Sequence, residues 1–174
     1  MSYRSFCVIS VLASFLAGCG TLPKTADNVV ESVNANEIYS KKDTYEVKQP
    51  LSKVAAVLKE KSAECFRKRT EHTNLAATGI GATGYHTTTL DFTPHVLVTR
   101  ERVRLTVQLK DVSTGNINVG PDEGWYVMVV DAYPVNKQTT RVESYFRHNN
   151  HEAMQPAVKS WLTGNTAGCP DLSS

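Results

Sequence analysis

The chain has 174 residues, with 19 Lys and Arg against 17 Asp and Glu and 5 His. A formal charge of +2 lacks the strong basic bias of a nucleic-acid binder, so nucleic acid is not an expected partner. The length suits one folded domain, and no stretch is apolar enough to span a membrane, which takes about 20 apolar residues in succession.

The N-terminus reads as a targeting segment. Arg4 supplies the positive charge, Phe6 to Phe15 (FCVISVLASF) is almost wholly apolar or small, and small residues follow. A basic start, a short apolar run and a small-residue cleavage site make a secretory signal. The next residues, Leu16-Ala17-Gly18-Cys19, match Leu-(Ala/Ser)-(Gly/Ala)-Cys at every position and resemble the lipobox of bacterial lipoproteins. The resemblance implies removal of residues 1–18, a diacylglyceryl group on the Cys19 thiol and, in many species, acylation of the new amine. One acyl chain binds a membrane only marginally, whereas two or more hold stably. Gly20 stands where Asp would resemble an inner-membrane retention signal. The implied location is the cell envelope, lipid-anchored at the outer membrane and facing the periplasm.

The lipobox also bears on the 4 cysteines. Cys7 would leave with the signal and Cys19 would carry lipid. Cys65 and Cys169 remain in an oxidising compartment, where a disulfide is the expected state; the alternative is two buried thiols. A bridged loop of about 100 residues would restrict the unfolded chain by roughly 4–5 kcal/mol in the entropy model.

Residues 19–42 are polar and small and read as anchor plus tether, part of it possible as helix; residues 43–174 read as a single domain. Asp43 to Gln49 alternates as a short strand. Leu51, Val54, Leu58 and Cys65 then share one helical face, with Pro50 at the first turn and Arg67-Lys68-Arg69 at the end. Thr70 to Gly84 reads as a loop. It contains Gly79-Ile80-Gly81-Ala82-Thr83-Gly84, a literal GxGxxG. A dinucleotide site needs a strand before that motif and a helix after it. Polar residues precede it and β-type residues follow, so no nucleotide is expected.

Tyr85 to Phe92 and His95 to Asp111 read as strands, with Thr93-Pro94 between them. Val103, Leu105, Val107 and Leu109 alternate with polar neighbours, so one face is buried and the other wet. Val96 and Val98 have the opposite phase, which predicts a turn or bulge near Thr99 to Glu101. Trp125 to Pro134 is the most apolar strand, and Thr139 to Arg147 returns after a turn at Asn136-Lys137. Met154, Ala157, Val158, Trp161 and Leu162 form a helical stripe, and Gly164 suits its C-terminal end.

The order β-α-β-β-β-β-α predicts an α+β two-layer sandwich, an antiparallel sheet of about 4–5 strands with two helices on one face. That order resembles helix-grip and related folds. The tail Trp161-x-x-Gly164-x-x-x-x-Cys169-Pro170-Asp171-Leu172, with the GWYVMVVDA strand and Cys65, resembles small proteobacterial envelope lipoproteins, a resemblance that implies no activity.

Catalytic signals are sparse. His148 and His151, with Glu152, are weak metal candidates that fit no H-E-x-x-H spacing. Asp131 falls inside the most apolar strand and needs a cationic partner there; Arg102, Arg104, Arg141 and Arg147 are candidates, and Arg141, across the hairpin, is the expected one. There is no G-x-S-x-G, and no cofactor is implied. The expectation is a non-enzymatic, lipid-held binding or accessory module whose partner is another envelope protein. The alternative is a carrier of a hydrophobic or lipid ligand, with Trp125, Tyr126, Met128, Tyr133 and Trp161 facing it.

Overall fold

The computed structural model describes residues 23–78, 82–113, 121–147, 153–165 and 168–172. Its elements run α1 (Ala26–Asn34), β1 (Ser40–Val47), α2 (Leu51–Cys65), β2 (Lys68–Thr78), β3 (Ala82–Val98), β4 (Val103–Asp111), β5 (Trp125–Asn136), β6 (Thr139–Arg147) and α3 (Met154–Leu162). The strands form one antiparallel sheet in the order β1-β6-β5-β4-β3-β2, open and not closed into a barrel.

The expected α+β two-layer sandwich, an antiparallel sheet of 4–5 strands with two helices on one face, is overturned. The sheet has six strands, three helices pack on it, and they lie on both faces. The sixth strand is β2, in the segment read as a loop. Its sequence, KRTEHTNLAAT, has no apolar alternation, because an edge strand with one face uncovered is held mainly by its backbone ladder to β3. The third helix is α1, within the segment read as tether. Its apolar content is three valines in nine residues, too little to signal a helix until a sheet is present to receive it.

Sheet topology explains the length of α2. Its two flanking strands, β1 and β2, are the opposite edges, about 24 Å apart at the usual strand spacing. A helix of 15 residues is about 22 Å long, so α2 crosses the sheet in one pass. Val54, Ala55, Leu58, Ser62 and Cys65 are its buried stripe. Beside it α3 buries Met154, Val158, Trp161 and Leu162. Against them the sheet presents Phe92, Val103, Leu105, Val107, Leu109, Met128, Val130, Ala132, Val142 and Phe146. The phase change expected after Val98 is a tight hairpin turn, with the Thr99 hydroxyl donating to the Arg102 carbonyl.

The Cys65–Cys169 disulfide is present and ties the end of α2 to the tail beyond α3. Phe66 and Trp161 meet alongside it, ring centres 5.0 Å apart, and Leu172 is fully buried. At the start of β5, Gly124 has φ +94°, and a Cβ there would lie 2.6 Å from the Leu109 carbonyl oxygen. That close approach requires glycine where the chain turns into the sheet.

Candidate binding face

The opposite face of the sheet is only half covered. The α1 helix begins at Thr25, whose hydroxyl accepts from the Asn28 backbone N–H as an N-cap. It lies over β5 and β6, and Val29 and Val33 pack on Val129 and Tyr145. Nine residues are too few to hold a helix in water alone, so this contact is what makes α1 a helix. Just before it, the Pro23 carbonyl accepts from the Tyr126 N–H at 2.9 Å. Residues 23–42 are therefore not a free tether: they are docked chain, helix and the start of β1.

A charge network fastens α1 to the sheet. Asp131 is 2% exposed and directly opposite Arg104 on β4. Arg104 donates from Nε to Oδ1 and from Nη2 to Oδ2, both at 2.7 Å. Its Nη1 donates to Asp27 of α1, also at 2.7 Å. Arg102 stands 3.9 Å from Asp131. The partner of Asp131 is thus Arg104 and not Arg141. The β5–β6 register decides this, because it sets Glu143 opposite Asp131 and Arg141 opposite Tyr133. Arg141 pairs with Glu143 at 3.1 Å and sits over the Tyr133 ring.

Tyr145 completes the covered half. Its hydroxyl donates to Glu143 at 2.7 Å, and Lys42 lies 5.0 Å from its ring centre. Burial, then the hydrogen bond to Glu143 and the charges of Glu143 and Asp131, hold its proton well above the usual phenol range. The two carboxylates hold the Arg104 guanidinium firmly charged against the opposing effect of burial, the bond to Asp131 contributing most. With both Asp131 oxygens occupied by one guanidinium, the group is built to hold structure rather than to shuttle a proton.

Over β2, β3 and β4, no described helix covers this face. Arg69 forks onto Asp91 with two bonds of 2.6 Å, and the bond holds the Asp91 carboxyl below its ordinary range. The Thr73 and Thr87 hydroxyls meet at 3.0 Å. His95 is opposite Thr106 and Leu97 opposite Arg104, and Leu97 is 58% exposed. Among the described side chains, this surface is polar with Leu97 projecting from it.

The residues considered for a hydrophobic ligand do not converge. Met128 and Trp161 are buried in the large core under α2 and α3. Tyr126 packs with α1 on the other face, and Tyr133 is on the side of Arg141. Trp125 pairs with Leu109 at the sheet end and is half-buried. Among the described residues, the one group with metal-ligand spacing is Glu64, Cys65 and Cys169, and both sulfurs there are in the disulfide. Cys19, the weak metal candidates His148 and His151, and the first half of the GxGxxG stretch lie outside the described residues. The second half begins β3, so a strand stands where phosphate binding needs a helix N-terminus.

The network residues missed in the sequence are Asp27 and the pairing of Arg104. Thr25 followed by Asp27 and three valines was the available signal, a capped and acidic first turn. No protein family model matches the chain, and no curated protein matches it. No described helix is long and apolar enough to cross a membrane.

Proposed function

We propose that the protein is a lipid-anchored, periplasm-facing envelope protein that acts as a non-catalytic binding or accessory module, with Cys19 as its anchor at the outer membrane. The observation that carries the binding role is the half-covered sheet. One face is sealed by two helices and a disulfide, while the β2–β4 half of the other offers a polar surface with Leu97 projecting from it. A sheet face with an exposed apolar residue among polar ones suits a protein partner. The charged groups of the covered half are paired with one another, which favours a structural over a chemical use.

The lipobox resemblance and the oxidised cysteine pair support the compartment. The test is the intact, non-reduced mass of protein taken from membranes. The expected species starts at Cys19, carries added acyl mass and is two hydrogens short for Cys65–Cys169. A chain that starts at Met1, or that is cut elsewhere without lipid, overturns the anchor. A photo-crosslinker at Leu97 then reads the partner, with capture of an envelope protein expected and capture no greater than from Lys53 on α2 opposing the binding role. The split of the five aromatic and Met residues over two faces weighs against the carrier alternative. A carrier would gain thermal stability with fatty acid or phospholipid, by linkage.

A further inference from the structure

The longest strand, β3, outruns the sheet. From Leu90 to Val98 it pairs with β4, while from Ala82 to Thr89 its ladder partner among the described residues is β2 alone. The two strands thus leave the sheet as a hairpin, and the end they leave from is the one where β5 begins. Trp125, Leu109, Phe92 and Lys68 are in register across that end. The Pro23 carbonyl is bound to Tyr126 at the same level. The chain start and the hairpin therefore emerge from one end of the sheet.

Distances then decide what the hairpin meets. From Phe92 to Ala82 the strand advances about 33 Å at the usual rise per residue. Sheet twist of roughly 20–25° per strand, over the two steps from β5 to β3, leaves about 23 Å of that along the β5 direction. Between Cys19 and Pro23 the chain, fully extended, spans at most about 14 Å. If Cys19 is held at a lipid surface, the hairpin is longer than the leash. Turning the hairpin away would put the sheet itself on the membrane side of its own anchor.

The composition suits that surface. From Thr73 to Leu90 the sequence contains no Asp, Glu, Lys or Arg; Glu71 and Asp91 bound the stretch, and the exposed Arg67 and Lys68 stand at its base. A ribbon without ionised side chains escapes the large cost of desolvating charge, and basic residues beside it favour anionic headgroups. Its strand edges, which have no ladder partner among the described residues, forbid the hydrocarbon interior, where nothing would satisfy them, and permit the wet interface.

We propose that the paired arms beyond the sheet, residues 72–78 and 82–88, lie against the lipid interface to which Cys19 holds the domain, giving the module a second contact and a set orientation on the membrane. This rests on the acylated Cys19 of the function proposed above. The test uses the acylated protein in vesicles of phosphatidylethanolamine and phosphatidylglycerol. Single cysteines (Ala77→Cys, Ala82→Cys, Thr87→Cys and, at the far end, Arg100→Cys) carry a nitrobenzoxadiazole label, and a spin-labelled lipid serves as quencher. Labels at 77 and 82 are expected to lose most of their emission, the label at 87 less, and the label at 100 almost none. Equal quenching at 77, 82 and 100 overturns the proposal. A blue shift at 77 and 82 without lipid quenching also overturns it, and assigns the hairpin to a protein partner or a second copy. The melting temperature of each variant is compared with the parent, and the Thr87 label provides a reading from the hairpin base if a distal variant misfolds. Protein that does not float with the vesicles and lacks acyl mass overturns the anchor, and this proposal with it. Floating protein with unquenched labels overturns this proposal alone.

Discussion

The two faces of the sheet are closed by different physics. Under α2 and α3 lies a continuous apolar core that includes fully buried Leu58, Phe66, Leu105, Met128, Trp161 and Leu162, clamped by a disulfide. Under α1 the apolar contact is small, chiefly Val29 and Val33 on Val129 and Tyr145, and an ion-pair chain runs from buried Asp131 through Arg104 to the exposed Asp27 of the helix. The first face gains from area removed from water and tolerates no gap. The second depends on charges that are stable only while each keeps its partner. The first should therefore report on global unfolding and the second on the attachment of one helix.

The largest effect is expected at the first face. Trp161→Ala removes a fully buried ring and its contact with Phe66. It should cost about 4–5 kcal/mol, read as a lower urea midpoint for the whole domain. Loss of only a local signal would show that the two helices are not part of one core. Removing the disulfide with Cys65→Ala and Cys169→Ala together frees a loop with sequence separation 104. The expected loss is about 4 kcal/mol in the chain-entropy account, again global.

At the second face, Arg104→Leu leaves Asp131 buried without its bidentate partner. The cost should be about 3 kcal/mol, because unpairing a buried charge is worse than never having the pair. The double variant with Asp131→Leu should recover most of it. Amide exchange should show α1 opening first, and equal exposure of α1 and α2 would erase the distinction between the faces.

The smallest effect is a pH dependence. Tyr145 has a higher pKa folded than unfolded, so the native state binds more protons at high pH. Its contribution is complete below the unfolded phenol value, about pH 10, and is lost as pH rises toward the folded one. Stability should fall above about pH 10, and less steeply in Tyr145→Phe. Tyr45, raised by burial and by Asp43, keeps some of that slope in the variant. An unchanged slope in Tyr145→Phe would place the alkaline sensitivity on the first face alone.

The alternation of Val103 to Leu109, the apolar run from Trp125 and the stripes of α2 and α3 were legible along the chain, because each buries a repeating face. The β6 strand has the expected bounds, and a turn at Lys137-Gln138, one residue beyond the expected place, joins it to β5. The Cys65–Cys169 pairing followed from counting cysteines once Cys19 was set aside. These features are local, or depend on the number of residues of one kind.

Tertiary structure decided the rest. The β2 strand has no periodic signature, since its pairing comes from backbone groups that every residue carries. The α1 helix has too few apolar residues to declare itself, and exists because Val129 and Tyr145 wait beneath it. Asp131 announced a need for a cation, but four arginines could have met it, and only the strand register selected Arg104. The sequence by itself determined which residues avoid water. Which of them meet, and on which face, waited for the sheet, because pairing between distant strands is a property of the folded whole.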